Sequence, residues 1–296
     1  MKINLIVFCT ITCALGAAML LPSCADNTPP PVQNSVADTV GVSTSGTMNY
    51  EGEIISVPSP IQIAMMIQKS SLPFKQNLIN GLQNKGRYLN ETSKSLNLGI
   101  YGADLAYVAN YNLGQINIDY FDAIASISSE LGILENLDKK LVTKLNSNLS
   151  NRDSILKLNA EFFRMADRYL KTNQRSQLSS YILIGGWVES MHLAADASIE
   201  NAEFRLRLGE QKYTAPSILR LSEKLSDPAF DKVKGELIKL CEMFTALQSS
   251  YSYKQPINDQ REKKTYLRSQ SVVDIDEEQA NAIREQIRVV RNLIIE

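Results

Sequence analysis

Apolar residues recur at helical spacing along most of the chain beyond residue 59, and two segments depart from that rhythm by being apolar on every side. In residues 96–110, Leu96, Leu98, Ile100, Leu105, Ala106, Val108 and Ala109 cover the whole helical circumference, and Asp104 is the only charge. Residues 177–195 carry Glu189 alone, with Gly185-Gly186-Trp187 at their middle. A helix apolar all round is a buried helix with others packed about it. Gln177, Ser179, Ser180, Glu189, Ser190 and His192 make the second segment too polar to span a membrane, so it too is expected in the core. Gly99 and Gly102, and Gly185 and Gly186, each weaken a helix by roughly 1 kcal/mol against Ala. They are read as close-packing positions, where a missing side chain lets a neighbouring backbone approach.

The remaining segments predict outer helices. Ser59-Pro60 is a start signal, a hydroxyl cap followed by proline in the first turn, ahead of Ile61, Ala64, Met65 and Gln68. That helix is expected to stop near residues 71–73, with a short helix over 76–82. The first buried helix opens at Asn90 or Thr92. After a turn at 112–114, Ile118, Phe121 and Ala125 predict a partner helix ending at Gly132. Leu137, Leu141, Val142 and Leu145 give a short amphipathic helix. Residues 150–153 read as a capping box before the stripe Ile155, Leu158, Phe162, Met165 and Tyr169. Phe230, Val233, Leu237, Cys241, Phe244 and Leu247 form another stripe. Residues 251–254 and 264–267 are expected to pair as a small β-hairpin around 256–259. The last helix starts at the acids of 274–278 and turns Ile283, Ile287, Val290 and Ile294 inward; Arg284, Arg288 and Arg291 are assigned to a solvated face. The fold class is therefore mostly all-α: one multi-helix bundle over 59–296, built round two buried glycine-containing helices.

The start of the chain has a different character. Residues 1–23, with Lys2 and then an apolar run from Leu5 to Leu21, read as an export signal. The run ends Leu21-Pro22-Ser23-Cys24, which resembles the bacterial lipobox except that a small residue is usual where Pro22 stands. Acylation of Cys24 by several chains would give stable membrane anchoring. Residues 24–58 are polar, with Pro29, Pro30 and Pro31 together, and are expected to form a flexible tether with a short extended piece at 53–57.

Charge and candidate chemistry narrow the function. The chain has 31 basic and 32 acidic residues, and removing the leader with Lys2 leaves 30 against 32, so nothing favours nucleic acid as a partner. Cys241 is the one cysteine of the body and is read as a buried small hydrophobe. The two central helices carry matching chemistry. Asp104 is followed three residues on by Tyr107, and Glu189 by His192, which places acid and ring on one helical face. These four form a candidate polar core, functional or structural. The chain holds a single histidine, which excludes a paired Glu-x-x-His di-iron site by counting. A mononuclear site of Glu189, His192 and Asp196 is a poor transition-metal set, so no metal and no cofactor is expected. There is no Gly-x-Ser-x-Gly elbow, P-loop or dinucleotide fingerprint. The expectation is a binding or scaffolding protein, with an enzyme using the carboxylates of Asp104 and Glu189 as the alternative.

Several blocks resemble a family of α-helical lipoproteins from Bacteroidetes. They are Leu96-Asn97-Leu98-Gly99-Ile100-Tyr101-Gly102-Ala103-Asp104-Leu105-Ala106-Tyr107, Leu183-Ile184-Gly185-Gly186-Trp187-Val188-Glu189, and the closing Arg288-Val289-Val290-Arg291-Asn292-Leu293-Ile294. The resemblance implies a lipid-anchored protein of the cell envelope, at the outer membrane of a Gram-negative cell. It brings no activity and transfers no catalytic residue. The partners it leaves are the membrane, through the anchor, and a protein or small ligand.

Overall fold

The structure is a computed structural model that describes residues 45–50, 53–136, 151–259, 261, 263–266 and 269–296. The leader, Cys24 and the helix expected round Leu141 lie outside these residues. Helices dominate, and the only sheets among the described residues are two-stranded. No helix among them is long and apolar enough to cross a membrane.

The helices are α1 (Pro60–Lys69), α2 (Glu91–Ala109), α3 (Gly114–Glu130), α4 (Arg152–Thr172), α5 (Ser176–Glu200), α6 (Ala202–Glu210), α7 (Ala215–Glu223), α8 (Asp231–Ala246) and α9 (Glu277–Ile295). Their starts follow capping chemistry. Ser59 and Gln62 form a reciprocal capping box on α1, and Asp276 and Gln279 do the same on α9. Asn90 caps α2 by accepting from the Ser93 N–H at 2.7 Å. On α4 the cap is Asn151, which accepts from the Ser154 N–H at 2.9 Å and replaces the box expected over 150–153.

The two helices apolar on every side, α2 and α5, form the centre, with α1, α4 and α9 packed on both. Almost every residue of α2 from Ser95 to Ala109 is buried, as is α5 from Leu178 to Ser198 apart from Leu183, His192 and Asp196. The crossing is glycine on glycine. A Cβ on Gly99 would lie 2.6 Å from the Gly186 nitrogen and closer still to the Ile182 carbonyl oxygen; one on Gly185 would lie 2.7 Å from the Leu96 carbonyl carbon. Backbone therefore touches backbone, which only absent side chains allow. The other two glycines differ. Gly102 faces the ring of Phe163 on α4, and a Cβ on Gly186 would have ordinary room, 3.4 Å from the Gly99 oxygen and 3.7 Å from Pro60 Cγ.

Several expectations are corrected. The segment taken as tether up to residue 58 carries an antiparallel hairpin, β1 (Ser45–Tyr50) with β2 (Glu53–Pro58), and Val57 is buried. Over 76–82 there is no α-helix but two 3-10 turns, Gln76–Leu78 and Leu82–Arg87. On α3 the buried side is Asn117, Tyr120, Phe121, Ala123, Ile124 and Ile127, rotated from the Ile118–Ala125 line because the helix must also cover polar partners described below. Before α9 the chain forms two ladders in place of one hairpin: β3 (Gln248–Ser252) with β6 (Gln270–Asp274), and β4 (Ile257–Asp259) with β5 (Lys264–Tyr266). Tyr251 thus faces Ser271, not a residue of 264–267. Arg291, assigned to the solvated face of α9, is buried.

Candidate functional site

Residues 70–90 form a strap between α1 and α2, without an α-helix of their own, in which Leu78, Ile79, Asn80 and Tyr88 are buried and most other residues are half-buried or exposed. Backbone amides and carbonyls there must find partners outside regular structure. The side chains of α2, α3, α5 and α9 supply them. The Leu72 carbonyl accepts from Tyr111 Oη at 3.0 Å, and the Lys75 N–H donates to Tyr107 Oη at 3.0 Å. The Leu78 carbonyl accepts from Arg291 Nη2 at 2.8 Å, and the His192 ring lies close to it. The Asn80 N–H donates to Asp104 Oδ2 at 3.0 Å, its carbonyl accepts from Tyr120 Oη at 2.6 Å, and the Gly81 carbonyl accepts from Tyr101 Oη at 3.1 Å.

All four candidates of the polar core, Asp104, Tyr107, Glu189 and His192, therefore converge on one region. Asp104 and Tyr107 bind the strap backbone directly, and His192 lies beside the Leu78 carbonyl. Glu189 reaches it through Arg291: Nε donates to Oε2 at 2.6 Å and Nη2 to Oε1 at 2.9 Å. This is a two-pronged guanidinium–carboxylate pair. Asp104 and Glu189 are both 0% exposed and Arg291 6%.

The proton count of the acid pair follows from these contacts. Asp104 Oδ1 meets no donor, and the Glu189 carboxyl lies within hydrogen-bonding range of Asp104. Two carboxylates so placed repel, while a proton on one converts the contact into a hydrogen bond. Burial, followed by the nearby Glu189 charge, drives the Asp104 pKa well above the usual carboxylate range. Burial, the largest influence, would raise Glu189 as well, but the charge and hydrogen bonds of Arg291, with His192 and the Asp104 contact, together outweigh it and hold Glu189 below its ordinary value. The pair therefore carries one proton, on Asp104, and one charge, on Glu189. Arg291 neutralises that charge. His192 has its pKa lowered chiefly by burial, which favours the neutral ring.

Asn80, Asn97 and Tyr88 extend the network. Asn80 Nδ2 donates to Tyr88 Oη at 2.9 Å and to Asn97 Oδ1 at 3.2 Å, and Asn97 Nδ2 donates to the Ile294 carbonyl at 2.7 Å, closing the end of α9. These residues and Arg291 were missed in the sequence. One signal was present for Arg291: with Ile283 and Ile287 it falls at i, i+4 and i+8, on the inward stripe and not opposite it. Tyr88, Tyr101 and Tyr120 all have pKa values raised by burial, so their hydroxyls stay protonated.

The set Glu189, His192 and Asp196 does not assemble a metal centre. Both Glu189 oxygens bind Arg291, and Asp196 Oδ2 pairs with Lys75 Nζ at 2.8 Å, which also reaches Glu200. Among the described residues no three His, Cys, Asp or Glu side chains are grouped to hold an ion. Cys241 is free, buried, and raised to about 12 by burial, so its thiol stays protonated at neutral pH. A cavity of about 10 Å³, at the lower limit for one water, lies between Lys75, Leu78, Tyr107 and Asp196. Neither Asp104 nor Glu189 lines it. Comparison of this chain with protein-family models, with curated proteins and with solved structures returns no match.

Proposed function

We propose that this chain is a lipid-anchored envelope protein with a binding or scaffolding role, and that its acid–arginine cluster is a clasp holding the strap to the central helices. One observation carries the second half of this reading. The two acids do converge, as an enzyme would require, yet both are fully closed from solvent and their charge is already answered by Arg291. A reacting substrate needs a concave, reachable site beside its catalytic groups. Here the space beside them is filled by protein backbone. Within the cluster itself, Arg291 answers both Glu189 oxygens, and the Asn80 N–H answers Asp104 Oδ2, which leaves Asp104 Oδ1 for a proton to satisfy.

The anchoring half rests on the apolar leader that turns polar at Cys24. A single acyl chain holds a protein to a bilayer only marginally, and two or more hold it stably. The test is metabolic labelling with a fatty acid in the native host. Wild type is expected to take the label and Cys24→Ala to lose it. Label retained on the Cys24→Ala protein would refute the anchor.

A further inference from the structure

We infer that the β-ribbon formed by β3 to β6 is a second membrane contact, one that lays its tyrosines and cations on an anionic bilayer surface. The inference rests on the envelope reading above. The ribbon is rooted by Val273, which is buried against Gly209 of α6. Beyond that root it is open to solvent. Tyr251 is 68% exposed, Tyr253 70%, Ile257 49% and Tyr266 47%. The pairing places them ladder by ladder. Ile257 faces Tyr266 across the β4–β5 ladder, so the two share one face; in the β3–β6 ladder Tyr251 has the same parity as Ser249, the partner of Val273. Two-stranded ribbons are marginal in water without something to pack on. Leaving five large side chains exposed there, Val272 included, is a cost that an outside surface can offset.

Charge selects the surface. Residues 254–268 hold Lys254, Arg261, Lys263, Lys264 and Arg268 against Asp259 and Glu262, an excess of three positive charges on a chain of net charge −1. Tyrosine places an apolar ring and a polar hydroxyl at the level of lipid headgroups, and lysine and arginine beside it meet the phosphates. A ribbon without a groove suits a broad anionic plane better than a small ligand. The chain from Cys24 to Ser45 can extend to at most about 70 Å. Once acylated, the ribbon acts at high effective concentration, so weak individual contacts are enough.

The test uses the acylated protein with Gln255→Cys, an exposed position at the bend after β3, carrying an environment-sensitive fluorophore. Cys241 is buried and Cys24 would be blocked by acylation, so labelling is selective. On phosphatidylcholine vesicles containing phosphatidylglycerol, fluorescence is expected to rise several-fold, and to fall again as salt is added. Lys254→Glu with Lys263→Glu should remove the rise while helical content and acyl mass stay unchanged. A fluorophore that stays in water on these vesicles overturns the inference and leaves the ribbon to a protein partner. An equal, salt-insensitive rise on phosphatidylcholine alone also overturns it. The mass of the purified protein reports acylation separately, and vesicles in excess report ribbon contact with or without acyl chains, so failure of the anchor and failure of the ribbon are distinguishable.

Discussion

Arg291 and Glu189, 102 residues apart in sequence, form a two-pronged ion pair with almost no solvent contact, and that pair joins α9 to α5 beneath the strap. Buried ion pairs of this kind are expensive to break from one side. Removing a single partner leaves an uncompensated charge and typically costs about 3–5 kcal/mol. Glu189→Gln and Arg291→Met are each expected to lose stability in that range. The double variant Glu189→Gln with Arg291→Met should lose less than the sum, with a coupling of about 0.5–3 kcal/mol. Urea denaturation of the set measures it, and strictly additive losses would show that the two side chains act separately.

The proton on Asp104 makes a pH prediction with a definite sign. The Asp104 pKa is raised on folding, so its contribution to stability is complete below the unfolded value of about 4 and is lost as pH rises toward the folded value. Asn at this position keeps the acceptor for the Asn80 N–H and a donor toward Glu189 but has no proton to lose. The stability of Asp104→Asn relative to wild type should therefore rise with pH from about pH 4 upward, by up to about 1.4 kcal/mol per pH unit, and its melting temperature with it. Melting curves that run parallel across this range would place the proton elsewhere.

The glycines divide into two groups. Gly99→Ala and Gly185→Ala push a methyl into the backbone of the opposite helix, which cannot yield without separating α2 from α5. Losses of about 3 kcal/mol or more are expected, at the upper end for overpacked cores. Gly102→Ala instead meets the Phe163 ring, a half-buried side chain able to turn aside, and should cost about 1 kcal/mol. Thermal melts of the three proteins give the order directly; equal losses would deny that the helices meet backbone to backbone.

Much of this architecture is legible in the residues. A pattern apolar on all sides identifies α2 and α5 as central, because no other environment accepts such a helix. Caps at Asn90 and Asp276 declare their helices, since a side-chain acceptor is needed wherever amides are left without a partner. The strap was not legible. Its backbone is ordered by side chains from α2, α3, α5 and α9, and such long-range pairing leaves no periodicity within 70–90 itself. Arg291 was misassigned for a related reason: arginine is usually solvated, and only its partner Glu189 makes burial tolerable. The spacing of acid and ring in both central helices did point to one site, but the role of that site depends on what fills the space beside it.

If the buried acids serve the scaffold and not a reaction, as proposed above, taking the acid away from Asp104 without disturbing the fold leaves function intact. The most direct measurement is whether Asp104→Asn restores function in a strain lacking the gene, with the melting temperature of the variant measured alongside. The change is near-isosteric and removes only the acid. The expected result is full rescue, by a protein at least as stable as wild type at neutral pH. A variant that folds with wild-type stability and still fails to rescue would contradict the account and make Asp104 a chemical participant.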